Sequence, residues 1–279
     1  VTVAASFKTV TASEGEKAAD TLSWRLSLDQ YKKILVETPV YLNMFWNSVL
    51  ITVFSVAGTV VVSTLGAYGF TMLHFKGKEL MYLIYIVVML LPLQVILMPN
   101  YLVAGFLGIE DSYLAIILPA IFSPFGVFLL RQQMKLLPQE CVEAARIDGA
   151  GHAKIFWYIT IPMVRSGIAA LVMLQVIEYW NMVDQAIIFI KKLERYPLSV
   201  FLARINQDAS GVSFAAATFY IIPVLALLCY GHEYLKEGIG LMNVKEILVI
   251  LNSWNKIICA RYMHRERGRK IQSFSWYRR

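Results

Sequence analysis

Five apolar runs, at about 47–73, 80–102, 113–130, 167–190 and 214–235, constrain this chain more than any other feature. Each is about as long as the hydrocarbon core of a bilayer requires, and longer than most helices buried in a water-soluble domain. Hydrocarbon offers no water to backbone N–H and C=O groups, so each run must close its own hydrogen bonds as a helix. The expected fold class is an all-α polytopic membrane protein. Composition agrees, with 58% hydrophobic and only 16% charged residues, against about 25% charged in an ordinary soluble domain.

Between the third and fourth runs lies a polar segment of different character, EAARIDG at Glu143 to Gly149 and then ITIP at Ile159 to Pro162. Pro138 suits the first position of a helix, where its missing N–H leaves nothing unpaired, and Gln139 and Glu140 suit the positive end of the dipole. Gly149 can adopt the left-handed conformation that stops such a helix. A helix of about eleven residues, roughly 16 Å long, is too short to span a bilayer and must lie outside it. Ala144 and Ala145 give it a low profile that another protein's groove can approach, and Glu143, Arg146 and Asp148 supply charges at the rim. A second short helix is expected over His152 to Thr160, with Pro162 interrupting it.

The spacing EAA, three residues, Gly, nine residues, Ile, one residue, an apolar residue and Pro resembles the cytoplasmic-loop signature of permease subunits of binding-protein-dependent ABC importers. Ile161 stands where that pattern usually has Leu. Further matches, SFK at Ser6 to Lys8, NS at Asn47-Ser48, AYGF at Ala67 to Phe70, SYLAIILP at Ser112 to Pro119 and FLLRQ at Phe128 to Gln132, resemble the carbohydrate-uptake branch, in particular the smaller permease of maltose-type importers. The resemblance covers roughly residues 5 to 245. It implies a type I ABC importer permease fold with five of six expected spans visible, the first being expected before Ser6. It also implies that Glu143, Ala144, Ala145, Arg146, Asp148, Gly149 and Gly151 form a coupling helix seated in an ATPase cleft.

Loop charges orient the spans. The connection at 74–78 and the loop at 131–165, with Arg131, Lys135, Arg146, Lys154 and Arg165, are basic, whereas 105–112 carries Glu110 and Asp111 and no Lys or Arg. The signature loop is therefore expected in the cytoplasm. The connection at 191–211 is a conflict, because it must be outside yet holds Lys191, Lys192, Arg195 and Arg204 against Glu194 and Asp208. Alternation of spans outranks it here. Residues 1–42 then form an external connector with five Lys or Arg and five acids over residues 8–37, with one amphipathic helix near 28–36. The permease domain occupies 43–245. The basic extension at 246–279 lies in the cytoplasm, as an unselected extension on the favoured reading or as a tail on the anionic inner leaflet. No aromatic-interleaved groove accompanies it, so nucleic acid is not an expected partner.

No phosphate-cradling G-x-x-x-x-G-K-[ST] loop is present, so ATP must be hydrolysed by separate subunits and the chain itself needs no cofactor. Cys141, Cys229 and Cys259 are too scattered for a metal site, and His74, His152, His232 and His264 lack metal-ligand spacing.

Within the spans, Ser48, Thr52, Ser55, Thr59, Ser63 and Gly66 share one helical stripe and read as a close-packing face. Pro92 and Pro99 flank Gln94, so a bend is expected there. In the fourth run Gln175, Glu178, Asn181 and Gln185 fall within about 120° of one another, with Trp180 and Asp184 elsewhere. An acid at that depth points to a pathway or a buried partner, and both readings stand. These four residues and Gln94 are the candidate solute path.

The expected function is that of a permease subunit which, with a second permease, two cytoplasmic ATPases and an external solute-binding protein, imports a sugar or oligosaccharide across a bacterial or archaeal cytoplasmic membrane. A secondary transporter or channel is the alternative, opposed by the lack of a visible inverted repeat. An intramembrane enzyme lacks any credible nucleophile and base pair.

Overall fold

A computed structural model describes residues 39–204 and 210–240 of the 279. Of the connector expected at 1–42, residues 1–38 with the amphipathic stretch lie outside the described residues, as do the tail at 246–279, His264 and Cys259, whereas residues 39–42 are helical.

The bundle is organised on one helix, α1 (Pro39–Met72), whose 34 residues span about 51 Å at 1.5 Å each. Its small-residue stripe faces inward: Ser48, Thr52, Ser55, Thr59 and Ser63 are all buried, while Trp46, Val53, Phe54, Val61 and Leu65 on other faces are more than half exposed. The partners are α4 (Leu114–Ile121) and α5 (Pro124–Lys135), which make one span of 22 residues. Backbones approach closely there. A Cβ on Gly58 would run into Ile121, one on Gly126 into Ser63 Oγ, and one on Gly66 would stand 3.1 Å from Val127. Without a hydrophobic drive between helices in lipid, such close packing is what holds them.

The joint between α4 and α5 follows from Pro124, which opens α5 and has no N–H to give the carbonyl of Ala120 four residues earlier. That carbonyl accepts instead from Tyr179 Oη at 2.8 Å and Thr59 Oγ1 at 2.9 Å, so two other helices close the gap.

The second apolar run is not one straight helix but two, α2 (Lys78–Met89) and α3 (Leu93–Phe106), bent by 104° and long and apolar enough together to cross a membrane. Pro92 causes this: it takes an extended conformation (ψ 145°) before α3, and the N–H groups of Leu90 and Leu91 fall back on Val87 and Val88 in tight turns. The expected bend near Gln94 is thus present, and larger than a kink. At the other end of α2, Arg131 of α5 donates to both carboxylate oxygens of Glu79 (3.1 and 3.2 Å) and to Phe70 O (3.3 Å), with its guanidinium 3.5 Å above the Tyr82 ring. Arg131, expected among the loop cations, is 3% exposed and belongs to the helical span Leu114–Lys135.

The signature loop carries α6 (Gln139–Ile147) and then α7 (His152–Met163), which widens into a π-helical turn at Phe156–Thr160. Pro162 does not interrupt this helix as expected. The π turn shifts the register so that the N–H of Ile161 reaches Phe156 O, and the chain breaks two residues later at Val164 (φ −99°), where it turns by 72° into α8 (Arg165–Trp180). The fourth apolar run also divides. After α8 come α9 (Asp184–Phe189), α10 (Leu198–Ala203) and α11 (Ser210–Gly240). Asn181 ends α8 because its side chain competes for the backbone, Nδ2 donating to Ile177 O at 2.7 Å.

At the end of the bundle away from α6, the connections before α4 and after α9 are stapled together. Asp111, in the left-handed region (φ 54°), accepts from Lys191 N at 2.8 Å and Lys192 N at 3.2 Å, while Lys191 Nζ pairs with Glu110 at 3.1 Å and Arg195 with Asp111 at 3.7 Å. Asn47 of α1 donates to Glu194 O and Tyr196 O and accepts from Tyr113 Oη. Two of the cations behind the conflict in loop charge, Lys191 and Arg195, are thus paired with the acids of the neighbouring connection.

Candidate functional site

Helix α6 stands almost free of the bundle. Of its nine residues only Val142 is buried; Glu143, Ala144, Arg146 and Ile147 are exposed, Ala145 is half-buried, and Ile147 is 87% exposed. Glu140 in its first turn and Arg146 in its last complement the dipole. Pro138 sits one position earlier than expected, as the residue flanking the helix, with ψ 121°. Gly149 has φ 78°, and the N–H groups of Asp148, Gly149 and Ala150 close onto Ala144, Arg146 and Ala145. Only glycine occupies that conformation without a steric cost, so the stop is written into the residue. Asp148 and Gly151 are also exposed, and a Cβ on Gly149 or Gly151 would meet nothing within 4 Å.

This segment is tied to the bundle through Tyr68. Tyr68, near the end of α1, places its hydroxyl 3.1 Å from His152 Nδ1 and 3.2 Å from His152 O, and its ring packs edge-on against Phe156 at 5.1 Å. Tyr68 lies in the AYGF motif, whose aromatic residues among small ones were the available signal.

A second polar site lies where α8 breaks. Glu178, Asn181, Asp184 and Gln185 line a cleft of about 240 Å³ with Leu93, Tyr179, Met182 and Val183. Three of the four residues expected on one face are therefore brought together. Gln175 stands behind them, fully buried, donating to Glu178 Oε2 at 2.8 Å. Asp184 was placed elsewhere by continuous helical geometry; the break at Asn181 turns it into the cleft. Gln94 is exposed on the first turn of α3, next to Leu93 in the cleft wall. Asn181 is already committed, since Oδ1 accepts from Tyr220 Oη at 2.8 Å and that hydroxyl also reaches Trp180 O. Glu178 and Asp184 make no ion pair among the described residues. No group of His, Cys, Asp and Glu able to hold a metal occurs among them either.

Residues 60–235 match the family model described as "Binding-protein-dependent transport system inner membrane component". The chain is 28% identical over 226 residues, 79% of each chain, to the arabinooligosaccharides transport system permease protein AraQ of Bacillus subtilis (strain 168). It is 32% identical over 208 residues, 72% of this chain and 70% of the relative, to the osmoprotective compounds uptake permease protein GgtD of Synechocystis sp. (strain ATCC 27184 / PCC 6803 / Kazusa). Among solved structures, one chain of a bacterial ABC transporter involved in the import of the acidic polysaccharide alginate has the same fold, with a TM-score of 0.72 at 22% identity over 84% of this chain and 88% of that one. The polar loop signature, the broken-helix bundle and these matches agree: this chain is a multi-pass transport permease, not an enzyme, and belongs to the family of binding-protein-dependent transport system inner membrane components.

Proposed function

We propose that this chain pairs with a second permease to form the membrane path of an ATP-driven importer for a sugar or oligosaccharide, with α6 and the turn at Gly149 to Gly151 seated in the cleft of one of two ATPase subunits. The observation that carries this reading is the exposed nine-residue helix with its glycine stop, held out from the bundle at the end opposite the Asp111 staple. An external binding protein would deliver the solute at the stapled end. On this reading the α6 end and the C-terminus face the cytoplasm of a bacterium or archaeon. Closure of the ATPases on ATP would draw the two coupling segments together and rock the permeases, an alternating-access step.

The cleft around Glu178, Asp184 and Gln185 is the proposed wall of the path, with Gln175 bracing Glu178 and Gln94 at its margin. Carboxylates and amides accept and donate to sugar hydroxyls, and the relatives named for arabinooligosaccharides and lactose share this branch. An ATP-independent transporter has no use for a rigid docking helix outside the membrane.

The test is ATP hydrolysis by the assembled importer. Gly149→Val forces a β-branched residue into a left-handed conformation, and Glu143→Ala removes a rim charge. Both are expected to abolish binding-protein-stimulated hydrolysis while the subunits still co-purify; normal stimulation in both would refute the docking assignment.

A further inference from the structure

The coupling segment and the bundle meet at a contact that the family signature does not contain. Val142 and the half-buried Ala145 apart, α6 is exposed, so a displacement of α6 reaches the membrane largely through the chain itself and through whatever grips the chain where it re-enters. That grip is Tyr68. It is 7% exposed, near the end of the α1 helix that also packs on α4, α5 and α8. A phenol has one proton. It can donate to His152 O and accept from a protonated Nδ1, so both short contacts are satisfied at once only when Nδ1 carries hydrogen. Edge-on packing of the Tyr68 ring against Phe156, at 5.1 Å, and burial of Ile155 lock the next turn in place. At its other end α1 holds the external connection, Ser48 Oγ accepting from Leu198 N at 2.9 Å and Asn47 donating to Glu194 O at 2.8 Å. A rigid helix therefore joins the two ends.

We propose that Tyr68 is a positioning residue that makes the coupling segment and α1 move as one body, so that a shift imposed on α6 is delivered to the external connection. This rests on the docking reading above, and the experiment separates the two.

The whole importer, with its ATPase subunits, carries spin labels at the native exposed Cys141 on α6 and at Leu65→Cys on the exposed face of α1, with Cys229 and Cys259 changed to Ser. The inter-label distance is measured without nucleotide and after trapping with ATP and vanadate. In the otherwise unaltered chain it is expected to stay constant. Tyr68→Phe loses both hydrogen bonds and keeps the ring contact; it is expected to let the distance change by about 2 Å or more on trapping, the scale of helix shifts at moving interfaces. His152→Ala, at an exposed position, loses the imidazole contact and keeps the carbonyl one, and should fall between. The proposal is overturned if the distance changes in the unaltered chain, or if Tyr68→Phe behaves like it. A Cys141 label that the ATPase subunits do not immobilise would refute the docking reading instead.

Discussion

Tyr179→Phe and Thr59→Val are expected to be mild singly and severe together, because both hydroxyls serve one carbonyl that Pro124 leaves without its helical donor. Tyr179 Oη donates to Ala120 O at 2.8 Å. Thr59 Oγ1 has one proton to divide between Ser55 O at 2.7 Å and Ala120 O at 2.9 Å. Losing Tyr179's hydroxyl lets Thr59 commit its proton to Ala120, since Ser55 O lies within a regular helix. Each single change should therefore cost about 0.5 kcal/mol, the usual scale for a hydrogen bond between membrane helices. Losing both leaves a buried carbonyl unpaired, worth about 2 kcal/mol, so the cycle should show a coupling energy of about 1 kcal/mol. Adding Pro124→Ala restores an N–H four residues from Ala120 and should recover part of the loss. Unfolding in mixed micelles with increasing SDS, read by helical circular dichroism, measures all of these. Additivity within about 0.3 kcal/mol and a double-variant cost below about 1 kcal/mol would show that the carbonyl does not depend on these hydroxyls.

Glu79→Gln should destabilise more than Arg131→Met, by about 1 kcal/mol in the same assay, because the first leaves a buried guanidinium without its counter-charge and the second leaves an exposed carboxylate that water can solvate. Asp111 has its carboxyl held below the ordinary value, chiefly by the Lys191 N–H, then Lys192 and Arg195, so its contribution is present above about pH 4 and lost as pH falls through the depressed value. Lys191 is raised by its hydrogen bond to Glu110, and its contribution is lost only at strongly alkaline pH. Hydrogen-exchange protection at 109–113 and 190–196, corrected for intrinsic rates, should accordingly be flat from about pH 5 to 9 and fall in acid. Glu178→Gln keeps an acceptor for Gln175, so uptake should change while thermal stability holds; Asn181→Leu removes the α8 stop and the Tyr220 contact, so stability should fall by about 1 kcal/mol as well. Uptake and unfolding measured side by side separate the two, and unchanged uptake in both would remove this cleft from the path.

The membrane class, the short exposed helix at Gln139–Ile147 and its glycine stop were legible in the sequence because each depends on local physics. Run length decides whether a helix can span lipid, and the left-handed φ of Gly149 is a property of one residue. The bend at Pro92 was legible for the same reason, as a missing N–H must act where it stands. The division of the fourth run was not, since Asn181 is a helix stop only when Tyr220 and the end of α8 hold its amide, and Tyr220 is 39 residues away. Asp184 joined the cleft through that break. The role of Arg131 likewise needed Glu79, 52 residues away, to be seen: a cation at the end of an apolar run reads as a loop charge until its partner is known. The same holds for Lys191 and Arg195, which read as unpaired loop cations until Glu110 and Asp111 come against them. Sequence determined which segments are apolar enough for lipid and that the backbone turns at Pro92 and Gly149, because solvation and φ are paid residue by residue. The tertiary structure decided which polar groups neutralise one another and which remain to face a solute, because those energies belong to pairs that only packing brings together.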